Sequence, residues 1–136
     1  MKKYLLALVA IFLFTTGCTK EDEDDHMDVD RETIEKYLED NSIEATQHES
    51  GIYYVISKTG SGNHPNSNSY ITIRYKGQLL DGTVFDETTA DAVTFKLKNL
   101  IKGWQYGIPL IKTGGKITLY IPSKLGYGSQ STLFIK

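Results

Sequence analysis

Apolar and polar positions divide this chain into unequal parts. Tyr4 to Phe14 is an unbroken apolar run of eleven residues behind a basic Met1-Lys2-Lys3. It is too short for a permanent bilayer span and has the form of a secretory signal. From Asp30 to Asp40 the period changes: Ile34, Tyr37 and Leu38 recur at helical spacing, Asp30 stands where a cap would, and Glu32 and Lys36 are four apart. The apolar stripe is small, which predicts a short helix that docks weakly or frays. Beyond Gly51 the pattern alternates. Ile52-Tyr53-Tyr54-Val55-Ile56 is aromatic and β-branched, Ile71, Ile73 and Tyr75 alternate with polar neighbours, and so do Ile117, Leu119 and Ile121. These are strand patterns. Val84-Phe85 and Phe95/Leu97 give shorter strands, and Asp81-Gly82 marks a tight turn. Gly60 to Ser69 is a long turn-forming loop. Around Trp104, glycines at 103 and 107 bracket a short helix that Pro109 should stop or kink. The sum is an α+β domain, a small antiparallel sheet with one face covered by a short helix.

Charge reinforces the division. The 136 residues carry a net charge of −2. Residues 18–50 hold three basic and thirteen acidic residues, a balance of −10, whereas residues 51–136 hold ten basic and four acidic, a balance of +6. Five consecutive acids, Glu21 to Asp25, repel one another, so residues 18–29 are expected to be a disordered acidic tether. Residues 30–50 then form a short helix and a polar connection, and a protease-resistant core begins near residue 50. The basic residues are spread out, which argues against a nucleic-acid partner. Histidines 26, 48 and 64 lack ligand spacing, so no metal or cofactor is expected.

Cys18 is the only cysteine and lies where a signal would be cut, so no disulfide framework can form. The segment resembles a bacterial lipoprotein signal, removed as residues 1–17, with Cys18 becoming the lipidated first residue. It departs from that pattern at Thr15, where leucine is usual. The alternative is ordinary cleavage that leaves an unpaired thiol. The acids just after Cys18 resemble the export signal of surface lipoproteins, and a plain solvated spacer is the competing reading. Together these imply an outer-membrane lipoprotein facing the periplasm or the cell surface.

Separated motifs agree in order and spacing: Ile73-x-Tyr75-x-Gly77-x-Leu79-x-x-Gly82-x-x-x-Asp86-Glu87-Thr88, then Gly103-Trp104, Gly114-Gly115-Lys116, and Ile121-Pro122-x-x-Leu125-x-Tyr127-Gly128. Over residues 51 to about 128 the chain closely resembles the FKBP-type peptidyl-prolyl cis-trans isomerases, the macrolide-binding immunophilins. Taken singly, Phe85, Phe95, Leu100, Ile101 and Trp104 would be read as core, Asp86 as a turn residue, and Tyr75 and Tyr127 as half-buried tyrosines. The joint spacing reverses that.

The resemblance implies a half-wrapped antiparallel sheet around one short helix, with a pocket between them. Tyr75, Phe85, Asp86, Phe95, Leu100, Ile101, Trp104 and Tyr127 would line the pocket, and Trp104 would form its floor. It further implies that the Ile101 backbone N–H and the Tyr127 hydroxyl bind carbonyls of the substrate chain. Proline-containing segments of exported proteins would be the substrates and a macrolide would be a ligand. A non-catalytic binding module or chaperone on the same fold is the alternative from another class, and a degenerate domain is a third.

One region departs from the family. The family has a long, central last strand that supplies another pocket aromatic, whereas eight residues follow Gly128 here. Thr132-Leu133-Phe134 resembles the start of that strand, but Phe134 follows Leu133 directly, and a one-residue slip changes the sheet face. A shortened domain, a truncated gene and a frameshift all fit this. The expectation is a C-terminally incomplete 51–136 domain with a truncated last strand, and unpaired inner edges if that strand is missing.

Overall fold

The computed structural model describes residues 21–128 and 133–135. The signal-like segment and Cys18 lie outside the described residues. A helix, α1 (Glu21–Asp40), leads into strands β1 (Thr46–Gln47), β2 (Tyr53–Lys58), β3 (Tyr70–Ile73), β4 (Lys76–Leu79), β5 (Val84–Glu87) and β6 (Val93–Lys96). Then come α2 (Lys102–Gly107), β7 (Lys116–Ile121) and β8 (Leu133–Ile135). Six strands form an antiparallel sheet in the order β1-β2-β7-β8-β4-β5, and β3 pairs with β6 in a separate two-stranded sheet.

β7 organises the core because both of its faces are covered. Successive strand side chains point to opposite faces. Leu119 and Ile121 pack with Ile52 and Trp104 on the α2 side, and Tyr120 packs with Ile34, Leu38 and Tyr53 on the α1 side. The short helix on one face is as expected, and α1 covers the other face as well. Glycines four apart let α2 approach closely. A Cβ at Gly103 would lie 2.5 Å from Ile121, and one at Gly107 2.4 Å from Leu119. The helix ends at Gly107, and Pro109 falls in a 3-10 turn, Ile108–Leu110, as a residue without an N–H and with a fixed φ should.

The disorder expected over residues 18–29 is corrected for 21–29, which are helical, while 18–20 lie outside the described residues. Ile34 and Leu38, one turn apart, are buried against Tyr53 and Tyr120, so the helix does not dock weakly. Tertiary packing meets the cost of nucleation, after which each further turn is cheap. Asp30 is accordingly not a cap but a mid-helix residue. Its Oδ2 accepts hydrogen bonds from the Ser123 N–H at 2.7 Å and from the Ser123 hydroxyl. Lys36 pairs with Asp40 at 3.0 Å rather than with Glu32. The Tyr53 hydroxyl donates to Glu35 Oε1 at 2.5 Å, and burial, then that bond, raises its pKa. Residues 30–50 are thus integral to the domain, since β1 is a strand of the sheet and α1 covers its second face.

One further correction concerns the strands. The run from Ile71 to Tyr75, read as one strand, breaks after Ile73, so β3 and β4 serve different sheets. The Asp81-Gly82 turn joins β4 to β5, with Gly82 at φ +91° and Asp81 Oδ1 accepting from Thr83 N–H at 2.8 Å. The inner edges of β7 and β4 are bridged by β8, which pairs Leu133, Phe134 and Ile135 with Ile121, Tyr120 and Leu119 on one side. On the other side it pairs them with Leu79, Gln78 and Gly77. Phe134 takes the register of Tyr120 rather than that of Leu119 or Ile121.

Candidate active site

The eight residues singled out above come from six segments. Tyr75 lies between β3 and β4, Phe85 and Asp86 on β5, Phe95 on β6, Leu100 and Ile101 before α2, Trp104 on α2, and Tyr127 beyond β7. The structure brings all eight to the wall of one cleft of about 140 Å³.

Trp104 is 6% exposed, and the rings around it meet edge to face. Tyr75 lies 5.1 Å from it at 79° and Phe95 6.5 Å at 75°, centroid to centroid. Tyr75 and Phe95 are 6.3 Å apart at 62°. Such T-shaped contacts place positive ring edges against negative ring faces. Phe85 and Tyr127 form a second edge-to-face pair at 6.1 Å and 83°. Tyr127 is 69% exposed, so it is the most accessible of these aromatics. Trp104 Nε1 is buried with no hydrogen-bond partner, the sole such side-chain atom among the described residues.

One wall is polar. The Tyr75 hydroxyl donates to Asp86 Oδ2 at 2.5 Å, and that bond, with burial, pushes the Tyr75 pKa up to about 12. The phenol is therefore a neutral donor at ordinary pH, and it satisfies a carboxylate beside an otherwise apolar surface.

Three supporting residues escaped the sequence reading. Thr88 Oγ1 accepts from the Tyr75 N–H at 3.0 Å, and the Thr88 N–H donates to the Tyr75 carbonyl at 3.0 Å, so Thr88 holds the Tyr75 backbone from both sides. Gln105 Nε2 donates to the Leu100 carbonyl at 2.6 Å and to that of Lys98 at 3.2 Å, pinning the segment that carries Leu100. At Gly77 a Cβ would fall 2.7 Å from the Phe85 ring, so only glycine lets that ring lie across the strand. Thr88 and Gly77 stood within the quoted motif, whereas nothing in the sequence around Gln105 marked it.

Two larger hollows exist. One of about 420 Å³ lies between α1 and the β1–β2 turn, with Arg31, His48 and Glu49 among its lining residues. Another, about 580 Å³, also reaches Tyr75 and Trp104 but carries Arg74, Lys76 and Lys116. Neither brings Trp104, Tyr75, Phe95, Phe85 and Tyr127 together as the smaller cleft does.

Known proteins similar to this chain come from one family. Residues 61–134, more than half of the chain, match the sequence model of the FKBP-type peptidyl-prolyl cis-trans isomerases. The probable FKBP-type isomerase FkpA of Neisseria meningitidis serogroup B is 42% identical over 106 residues, which covers 74% of this chain and 38% of that protein. The peptidyl-prolyl cis-trans isomerase Mip of Coxiella burnetii is 39% identical over 82 residues, or 59% of this chain and 36% of Mip. The crystal structure of FkpA from Escherichia coli superposes with a TM-score of 0.70 at 31% identity, covering 85% of this chain and 58% of that one. This chain therefore spans about two fifths of the length of the curated relatives it matches. A profile match over most of the sheet, strong identity and a shared fold make one conclusion: the chain belongs to the FKBP-type peptidyl-prolyl cis-trans isomerase family.

Proposed function

We propose that this cleft isomerises X–Pro bonds in extended segments of exported proteins. The observation that carries the proposal is the convergence of Trp104, Tyr75, Phe95, Phe85 and Tyr127 on one small cleft with a single polar wall. Rotation about the amide costs roughly 18–20 kcal/mol because it breaks resonance. Left alone it takes tens to hundreds of seconds. Nothing needs to be attacked or deprotonated, so the catalyst need only favour the twisted amide over the planar one. The twisted amide is the less dipolar form. Moving it from water to apolar walls therefore costs less than moving the planar form, and the barrier falls.

The residues divide this task. The face of Trp104 receives the proline ring, with Tyr75 and Phe95 beside it and Leu100 and Ile101 excluding water. Asp86, held by Tyr75, lines the side across which the amide carbonyl turns. The Ile101 N–H and the Tyr127 hydroxyl donate to carbonyls on either side of the proline, which orients the chain. A macrolide ligand would compete for the same cleft.

The test is the proline-limited refolding of an unfolded client. The chain should accelerate it and a macrolide ligand should reverse the acceleration. Tyr127→Phe removes one neutral hydrogen bond, worth roughly 0.5–1.5 kcal/mol, and should lower kcat/KM up to about tenfold. Asp86→Val strands the Tyr75 hydroxyl as well and should cost more. Full activity in both variants would contradict these roles.

We further propose a lipid anchor on Cys18 and an outer-membrane location facing the periplasm or the cell surface. The basic start, the eleven-residue apolar run and the lone cysteine support it. Acyl chains contribute about 0.8 kcal/mol per buried CH₂. Cys18→Ser should move the protein from membranes to the soluble fraction, and unchanged membrane association would refute the anchor.

A further inference from the structure

The loop that delivers Tyr127 to the cleft is held from the opposite side of the sheet. β7 ends at Ile121, the buried Pro122 follows, and Ser123–Leu125 forms a 3-10 turn. Ser123 is the junction of this loop. Its carbonyl accepts from the Gly126 N–H at 3.0 Å and from the Gly128 N–H at 2.9 Å, the two amides that bracket Tyr127. Its own N–H and hydroxyl both donate to one oxygen of Asp30, ninety-three positions earlier on α1. Ser123 is buried and Asp30 half-buried. Hydrogen bonds to a carboxylate are about twice as strong as neutral ones, and water competes weakly for this partly buried oxygen.

We propose that Asp30 is a positioning residue of the isomerase site, acting through Ser123 on the Tyr127 loop. This rests on the function proposed above. It makes α1 part of the active domain, since the sheet alone leaves Ser123 without its anionic partner. Tyr127 is held mainly by its edge contact with Phe85 and by the backbone of this turn. Its placement over the cleft therefore depends on how firmly Ser123 is fixed. Two donors converging on one carboxylate oxygen fix the Ser123 backbone and side chain together, which a single neutral bond would not. The pairing also explains an aspartate in mid-helix, where its helix propensity is poor.

The experiment is a double-mutant cycle on the full chain, with kcat and KM measured separately on an X–Pro peptide. Asp30→Ala should lower kcat/KM about three- to tenfold, the range expected when a charged hydrogen-bond partner acts at one remove. Tyr127→Ala removes the group through which Asp30 acts and, being largely exposed, leaves the fold intact. In that background Asp30→Ala should cost less than about twofold. Equal losses in both backgrounds would show a general structural effect and overturn the proposal, as would no loss in either.

Amide hydrogen exchange separates this proposal from the function reading. Asp30→Ala should speed exchange at Gly126 and Gly128 by about tenfold or more, while Leu119 and Tyr120 stay protected. Unchanged exchange at the two glycines would refute the coupling whatever the activity. Faster exchange in a chain that is inactive as wild type would sustain the coupling and refute the function. If Asp30→Ala proves too unstable, Asp30→Asn keeps an acceptor oxygen without the charge and should give the same ordering with smaller changes.

Discussion

Trp104→Ala should abolish measurable isomerase activity and destabilise the fold by about 3–5 kcal/mol. Both effects come from one position. The indole is 6% exposed and packs in the core with Ile52, Leu119 and Ile121, so its loss opens a cavity that the α2–β7 contact cannot close. The same ring lines the cleft and is the edge partner of Tyr75 and Phe95. Domains of this kind have roughly 5–15 kcal/mol of total stability, so the variant will be partly unfolded at physiological temperature where the parent lies at the low end of that range. Trp104→Phe separates the two effects. It keeps an aromatic floor and removes less volume, so it should stay folded with reduced turnover. Thermal melting and kcat/KM at a temperature where both variants are folded would check this. A folded Trp104→Ala chain with undiminished kcat/KM would show that the indole is only core.

The second large effect lies on the other face. Ile34→Ala should cost about 2–5 kcal/mol in denaturant unfolding. Ile34 is fully buried in a cluster with Leu38, Tyr53 and Tyr120, although it belongs to a segment that charge alone would leave in solvent. A loss below about 0.5 kcal/mol, the level of an exposed site, would mean that α1 does not dock in solution. The unfolding transition should remain a single one, because α1 and α2 bury opposite faces of the same strand.

The difference between the readable and the unreadable parts of this chain is one of locality. The cleft was legible only through the family resemblance, because separated motifs from Ile73 to Gly128 carry its residues in the family's order and spacing. All eight residues meet in one place. The helix at residues 21–29 was not legible, because local repulsion among its acids points to disorder, and what overrides that is packing by Ile34 and Leu38 further along. The second covered face of β7 was hidden for a similar reason. Tyr120 alternates correctly, but a tyrosine at a strand position suits either a solvent-facing or a helix-covered face. The break between β3 and β4 leaves no mark in the alternation of Ile71, Ile73 and Tyr75, because the period continues through it. Asp30 shows the limit most plainly. A local reading makes it a cap, and its partner is Ser123, which no spacing rule connects to it.

The most direct test of the central claim is magnetisation exchange between the cis and trans proline resonances of a short X–Pro peptide, recorded with and without the unmodified chain. The uncatalysed interconversion is too slow to transfer magnetisation on that timescale. Exchange cross-peaks are expected in the presence of substoichiometric protein, with a shift of the Trp104 indole resonance on titration with peptide, and both effects of the peptide should be lost when a macrolide ligand is added. A folded chain that binds the peptide at Trp104 but leaves cis and trans without exchange would contradict it.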